Sequence, residues 1–315
     1  MSKQLRRVIV LAVLVLVHAA AAQEGVARRR EGSFVRGRLT YLQPLVGDLD
    51  YGLRQPSSSG GSYAPYGGAR VLSVDPEFNV GFDLALGRHG GAEKSSWLAY
   101  SYVQNVTRAS ESGLISATNG VPGGGAYDAY WAAAEYNLRR HLLDLDLIED
   151  LNDRMQLVVA LRSTYLESEF NTMFQGNDFD EAFPGVQKRK SKFRGGGLEF
   201  GAATDYAVTD SLALGGQLGS AFLVGKQEFE FSQLGWGADD WSYKDSDRSA
   251  FVPMLEMQLG LTWRPTAAVQ ISAGYQLEHW FNAILETELT AAGHLDSDRS
   301  DLSLHGGYLS CVLRF

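Results

Sequence analysis

The chain has 315 residues and a formal net charge of −9, from 37 acidic residues against 28 lysines and arginines. This acidic balance argues against nucleic-acid binding, which relies on a basic surface. Glycine and aromatic residues are frequent, with 35 Gly, 15 Phe and 14 Tyr, whereas Cys311 is the single cysteine and cannot form a disulfide within the chain. A fully paired β-barrel would stabilise such a chain without disulfides.

The first 22 residues have the order of a secretory signal peptide. A membrane-spanning helix is the alternative interpretation, but the apolar run is shorter than the about 20 strongly apolar residues that a span needs. We expect cleavage after Ala22, a short periplasmic segment over residues 23–32, and one barrel over residues 33–315. The basic, apolar and small-residue parts of the signal are Lys3, Arg6 and Arg7, then Val8–Val17, then Ala19–Ala22.

Ten segments of the remaining chain alternate apolar and polar residues, which is the pattern of a β-strand with two different faces. In Met254–Arg264, for example, Leu255, Met257 and Leu259 share one face and Glu256 and Gln258 share the other. Most segments have roughly the 9–11 residues that a tilted membrane strand needs. In chain order they are Phe34–Gln43, Phe78–Gly87, Trp97–Gln104, Tyr127–Leu138, Met155–Tyr165, Gly197–Ala207, Leu212–Gln227, Met254–Arg264, Val269–Asn282 and Leu302–Phe315.

The polar faces of these segments carry acids, arginines and glycines. A soluble β-sandwich also alternates, but its strands are usually shorter, about 5–6 residues. We therefore predict an all-β, transmembrane antiparallel barrel of about ten strands, with an apolar outside and a polar lumen. The predicted lumen-facing residues, which are candidates for ion selectivity, are Asp83, Glu135, Glu199, Asp205, Glu256 and Glu278 with Arg36, Arg38 and Arg162.

Charges in a narrow lumen must be paired or hydrated, so this set indicates either a wet pore or an internal salt-bridge network. Acids outnumber bases among these residues, and an acidic ring would favour cations. Aromatic residues near the strand ends are expected to form interfacial girdles, although aromatic residues also occupy β-sheet cores. They are Trp97, Tyr100, Tyr102, Tyr127, Tyr130, Tyr206, Trp263, Trp280 and Phe281.

Short and long connections alternate along the chain, as short periplasmic turns and long outer loops do in outer-membrane barrels. One connection breaks the pattern, because Leu138–Asp153 should be short yet is rich in leucine, and we expect a brief amphipathic helix there. The short connections are Arg88–Lys94, Val208–Asp210 and Pro265–Ala267; the long ones are Pro44–Glu77, Asn105–Ala126, Glu167–Arg194, Glu228–Ser249 and Glu286–Asp301.

The last segment alternates cleanly to the final residue. Leu309, Leu313 and Phe315 share a face opposite Tyr308 and Arg314. A closed barrel needs such a strand, because the last strand pairs with the first to remove both edges. The aromatic end resembles the insertion signal of outer-membrane proteins, with Tyr308, Leu313 and Phe315 as its residues.

A family resemblance is carried by PMLEMQLGLTWRP (253–265), ISAGYQLEHWFN (271–282) and SDLSLHGGYLSCVLRF (300–315), and by the hairpin sequence of residues 194–225. These segments resemble the closing strands of the Legionella-type major outer membrane protein family of pore-forming barrels. The resemblance implies a porin-like barrel in the outer membrane. It would contact lipid, the barrel-assembly machinery and small solutes. It transfers no catalytic or ligand-binding residue.

Other chemistries find less support in the sequence. The oxygen ligands of Asp239, Asp240, Asp245 and Asp247 suit calcium, but the EF-hand glycine and closing glutamate are missing. The histidines have no metal spacing, so we expect neither a metal nor a cofactor. Three functions stay open: a passive channel, a non-conducting structural or adhesive barrel filled by residues such as Trp131 and Arg162, and an enzyme with its site in the outer loops.

Overall fold

The computed structural model describes residues 32–47, 49–54, 70–90, 94–117, 128–152, 155–176, 184–235, 241–289 and 295–315. No helix within these ranges is long and apolar enough to cross a membrane. The predicted signal peptide lies outside the described residues. The strands are β1 (Gly32–Val46), β2 (Asp50–Arg54), β3 (Arg70–Ser73), β4 (Asn79–His89), β5 (Lys94–Ala117), β6 (Asp128–Asp150), β7 (Met155–Gln175), β8 (Gly185–Ala207), β9 (Leu212–Leu234), β10 (Trp241–Trp263), β11 (Val269–Leu289) and β12 (Leu295–Arg314).

Ten strands, β1 and β4–β12, form a closed antiparallel barrel, which confirms the predicted fold class. Closure occurs where β1 pairs with β12, from Phe34 opposite Arg314 to Val46 opposite Leu302. Beyond the ladder, the backbones of Ser33 and Phe315 exchange two hydrogen bonds of 2.9 Å each. The last strand therefore satisfies the first, and neither leaves a free edge.

The short turns lie at the end of the barrel where β1 begins and β12 ends, which we call the turn end; the opposite end is the loop end. In the turns, Gly90 donates its amide to the carbonyl of Lys94 at 2.8 Å, and Val208 donates to Leu212 at the same distance. The short connections are thus confirmed. At the loop end, the small hairpin of β2 and β3 pairs with the far part of β5, Arg54 lying opposite Ile115.

The strands alternate between an outward apolar face and an inward face. On β10, Leu255, Met257 and Leu259 are exposed on the outside of the barrel, whereas Met254 and Glu256 are buried inside. A barrel that presents apolar side chains outward and polar ones inward is arranged for lipid, not for water. The facing predicted for this strand is confirmed.

The strands are much longer than the predicted segments, because most of the predicted long loops are themselves strand. β5–β12 have 20–24 residues each. On β7 the outward face changes from Leu157 and Leu161 to Glu167 and Glu169 as the strand runs toward the loop end. Past that point both faces include polar residues, so the alternation fades from the sequence while the pairing continues.

The amphipathic helix expected within Leu138–Asp153 is wrong, because these residues belong to β6 and its turn. The strand pairs with β5 and with β7 on its two sides over this stretch. Leu143, Leu145 and Leu147 point outward and are exposed, while Leu142 and Asp144 point inward. The leucines therefore follow the two-residue period of a strand.

Candidate functional site

The middle of the lumen is held by Arg162 of β7, whose side chain is 5% exposed. Its Nε and Nη2 donate to the two carboxylate oxygens of Asp144 at 2.8 and 3.0 Å. Nη1 donates to Glu256 at 2.6 Å, and Nη2 lies 2.7 Å from Glu199. These four residues, the Arg162 cluster, come from β6, β7, β8 and β10. Because β7 and β10 are not neighbours, the cluster joins opposite parts of the wall.

A second ion pair crosses the lumen between β6 and β11. Arg140 donates to Glu278 through Nη1 and to Ser101 Oγ at 2.6 Å through Nη2. The Arg140 side chain is 1% exposed, so its charge is satisfied inside the protein and not by bulk water. With the Arg162 cluster, this pair closes the lumen by direct contact between charged side chains of distant strands.

An apolar core fills the lumen on the loop-end side of these ion pairs. Its largest member is Trp280, which is fully buried. Tyr136, Phe193, Leu223 and Leu302 contribute to the same cluster from four other strands. The prediction that Trp280 belongs to an interfacial girdle is therefore wrong. Its indole is part of the packing that excludes water from this half of the barrel.

A cavity of about 690 Å³ occupies the lumen at the turn end, and we call it the vestibule. Arg36 and Arg38 line it from β1, Trp97 from β5, Asp205 from β8 and Tyr308 from β12. Trp97 is thus an inward residue, and its predicted place in an outer aromatic girdle is also wrong. Of the other girdle candidates, Tyr127 lies outside the described residues, and Tyr100, Tyr130, Tyr206, Trp263 and Phe281 are exposed outward.

Asp83 of β4 lies beside the vestibule between two arginines. Its Oδ1 is 3.4 Å from Arg36 Nη2, and its Oδ2 is 3.4 Å from Arg38 Nε. Asp205, at the mouth, pairs with Arg264 at 2.5 Å. All of the predicted lumen residues except Glu135 therefore face the interior, and most of them pair with one another.

Glu135 lies on the outward face of β6, and its predicted lumen position is wrong. It pairs with Arg108 on the outside of β5, whose side chain is 75% exposed. The inward positions of this part of β6 are Ala134 and Tyr136, both buried. Trp131 shares the outward face with Glu135, so it does not fill the interior as expected.

Three lumen residues were missed by the sequence analysis, and all are on β6. They are Arg140, Asp144 and Asp146, which are buried. The signal was present in their even spacing, opposite Leu143, Leu145 and Leu147, but the leucine content of this stretch favoured a helix.

Residues of the predicted insertion signal fall on both faces of β12. Phe315 is exposed outward and Tyr308 lines the vestibule. The calcium candidates Asp239 and Asp240 lie outside the described residues. Within the parts of the chain that the structure describes, no group of three or more His, Cys, Asp or Glu side chains could hold a metal ion.

The family model described as Legionella pneumophila major outer membrane protein precursor matches residues 32–315, which includes every strand of the barrel. The chain belongs to this family. It is therefore an outer-membrane β-barrel protein. No curated protein matches it in sequence.

Three solved barrels illustrate the range of structures that are similar to this chain. The outer membrane protease OmpT from Escherichia coli is 10% identical, with a TM-score of 0.43, over 93% of this chain and 99% of that one. The translocator domain of the autotransporter NalP from Neisseria meningitidis is 10% identical over 98% of each chain, with a TM-score of 0.41. The P. putida toluene transporter TodX is 10% identical over 90% of each chain, with a TM-score of 0.36. Likenesses this low carry no information on function.

Proposed function

We propose that this protein is a non-conducting outer-membrane barrel with a structural or adhesive role, which presents its loop end at the cell surface. The observation that carries the proposal is the apolar core in the loop-end half of the lumen, where Trp280, Phe193 and Leu223 are fully buried. A hydrated ion would have to cross this core without water, and an apolar constriction of this kind blocks conduction by excluding water.

The ion pairs in the middle of the lumen support the same proposal. Opening a path past Arg162 or Arg140 would separate buried charges from their partners. Breaking a buried ion pair by removing one partner costs about 3–5 kcal/mol. The closed arrangement is therefore stabilised against small rearrangements of the wall.

The long strands supply the proposed surface structure. Beyond Tyr165, β7 continues to Gln175 and stays paired with both β6 and β8. Nine or ten residues at about 3.3 Å each extend roughly 30 Å along the strand. Phe170 and Phe174 fill this extension from the inside. It would form a packed platform for the connecting segments, with both termini on the periplasmic side. The proposed role involves no catalysis.

A porin-like channel for small solutes is the second candidate, because the vestibule provides a polar, open entrance over part of the lumen. Conduction would then require the apolar core to move aside. Neutralising Glu256 and Glu278 would reduce any cation preference if these residues line the path.

Single-channel recording on refolded protein distinguishes the two functions. We expect no steady conductance from the unaltered chain, whereas Trp280→Ala with Phe193→Ala should produce one by emptying the core. Trp263→Ala is the matched control, since this tryptophan is exposed outward and its loss leaves the lumen unchanged. A steady conductance of the unaltered chain would contradict the closed barrel, and its reversal potential in a salt gradient would give the ion preference.

A further inference from the structure

The vestibule has a local excess of positive charge, although the chain as a whole is acidic. Among the described residues that line it, five side chains are basic and two are acidic. The two acids are near the mouth, and one of them, Asp205, already pairs with Arg264. The basic residues are Arg36, Arg38, Lys94, Arg264 and Arg314, and the acids are Asp150 and Asp205.

Arg36 and Arg38 account for the part of this excess that lies deepest among the strands. They share one carboxylate, Asp83, at 3.4 Å each. Charge-assisted hydrogen bonds are usually shorter, about 2.7–2.9 Å. Within the described residues, Nε of both arginines and Oδ1 of Asp83 have no hydrogen-bond partner. One loosely held carboxylate does not neutralise two guanidinium groups, so a net positive charge remains.

Both arginines are held in place by aromatic rings. The Cζ atom of Arg36 is 4.4 Å from the centre of the Trp97 ring, and that of Arg38 is 5.0 Å from the centre of the Tyr308 ring. A guanidinium that stacks through its face keeps its edge free to bind an oxyanion with two hydrogen bonds. Because the arginines are two residues apart on β1, they stand on the same face of the strand, about 7 Å apart.

The rest of the vestibule is suited to a small polar molecule. Gly215, Gly216 and Gly260 widen the wall, while Gln217 and Gln258 offer neutral donors and acceptors. The cavity of about 690 Å³ is within the usual size range of small-molecule sites. Since the lumen is closed further along, a ligand would enter and leave through the turn end.

We infer that the vestibule is a binding site for a small oxyanion, a phosphate or a carboxylate, held between Arg36 and Arg38. The site is independent of the proposed closure, because it needs only the turn-end half of the lumen. The ligand supplies the acceptor oxygens that Asp83 alone does not provide. Trp97 and Tyr308 orient the two arginines and do not contact the charge themselves.

Titration calorimetry on the refolded full chain in detergent at low salt tests the site, with inorganic phosphate and citrate as separate probes. We expect both to bind, and the tighter one identifies the preferred oxyanion. The double variant Arg36→Gln, Arg38→Gln should bind about tenfold more weakly or worse, because charge-assisted hydrogen bonds are lost. Arg139→Gln is the matched control, since Arg139 is on the outer surface, 3.7 Å from Glu167, and its loss should leave binding unchanged.

Asp83→Asn provides a test in the opposite direction that does not depend on folding of the double variant. It removes the competing carboxylate and should tighten binding severalfold. A heat-modifiability gel checks that each variant is folded. The inference is overturned if neither probe binds the unaltered chain, if the folded double variant binds as well as it does, or if Asp83→Asn binds no more tightly.

Discussion

At the scale of single residues, the lumen contains more carboxylates than its arginines can pair with individually. Arg162 contacts Asp144, Glu199 and Glu256, so one cation serves three acids. Buried charges are costly to remove from water, and such a cluster is stable only while its partners remain in contact. The arginine therefore holds the acids in place as much as they hold it.

Replacing Arg162 should be among the most damaging changes in this barrel. We expect Arg162→Met to lower the free energy of unfolding by about 3–5 kcal/mol, because three buried carboxylates lose their partner. Urea unfolding of the refolded protein measures it. Adding Glu199→Gln and Glu256→Gln should restore part of the loss. Arg139→Met, on the outer surface, should cost about 1 kcal/mol or less; an equal loss from both arginine variants would contradict the cluster.

At the scale of the elements, each strand has to satisfy two environments at once. β10 does so with a strict alternation, Leu259 facing out and Gln258 lining the vestibule. β6 does the same around Asp144, but there the inward residues include Leu142 as well as charges. The environments, and not the hydrophobicity of the strand as a whole, determine which residue is tolerated where.

A pair of arginine substitutions on β10 tests this difference. Leu259→Arg should destabilise the folded barrel by about 2–4 kcal/mol if the residue lies near the middle of the bilayer. Gln258→Arg should be mild, because its side chain enters a polar cavity. Folding titrations in lipid vesicles give both values. Similar costs at the two neighbouring positions would show that the strand does not separate lipid from lumen.

These two strands also show how far the sequence predicts the fold and the site. The alternation of β10 is visible because its outward face is purely apolar. In β6 the apolar residues occur on both faces, and in the loop-end half of β7 Glu167 and Glu169 face outward. Cross-lumen partners such as Arg140 and Glu278 depend on the curvature of the closed sheet, which no local pattern encodes. The strand count was therefore predictable and the pairing inside the lumen was not.

At the scale of the whole molecule, the barrel presents apolar side chains around most of its outside. Leu86, Leu147, Leu161 and Leu218 are examples from four strands, each at least 55% exposed. Such a surface is stable only in lipid or detergent, since exposed apolar patches of this extent lead to aggregation in water. The membrane is therefore part of the conditions under which this fold exists.

The location of the protein follows from this surface and from the predicted signal peptide. We expect the expressed chain in the outer-membrane fraction, starting at Gln23 after cleavage, with boiled and unboiled forms that migrate differently on a gel. Fractionation and mass measurement of the amino terminus check both points. Release of the protein by osmotic shock would contradict the location, and an uncleaved amino terminus would contradict the processing.

The seam between β1 and β12 has a consequence for how the protein is made. Most neighbouring strands in the barrel are joined by a single connection, so they can pair as successive hairpins soon after synthesis. Phe34 and Arg314, in contrast, meet only when the whole intervening chain is complete. Contacts between such distant residues form slowly, and until then both end strands carry unpaired backbone groups that invite aggregation. Assembly of this barrel therefore needs a helper that covers the two edges until the last strand arrives.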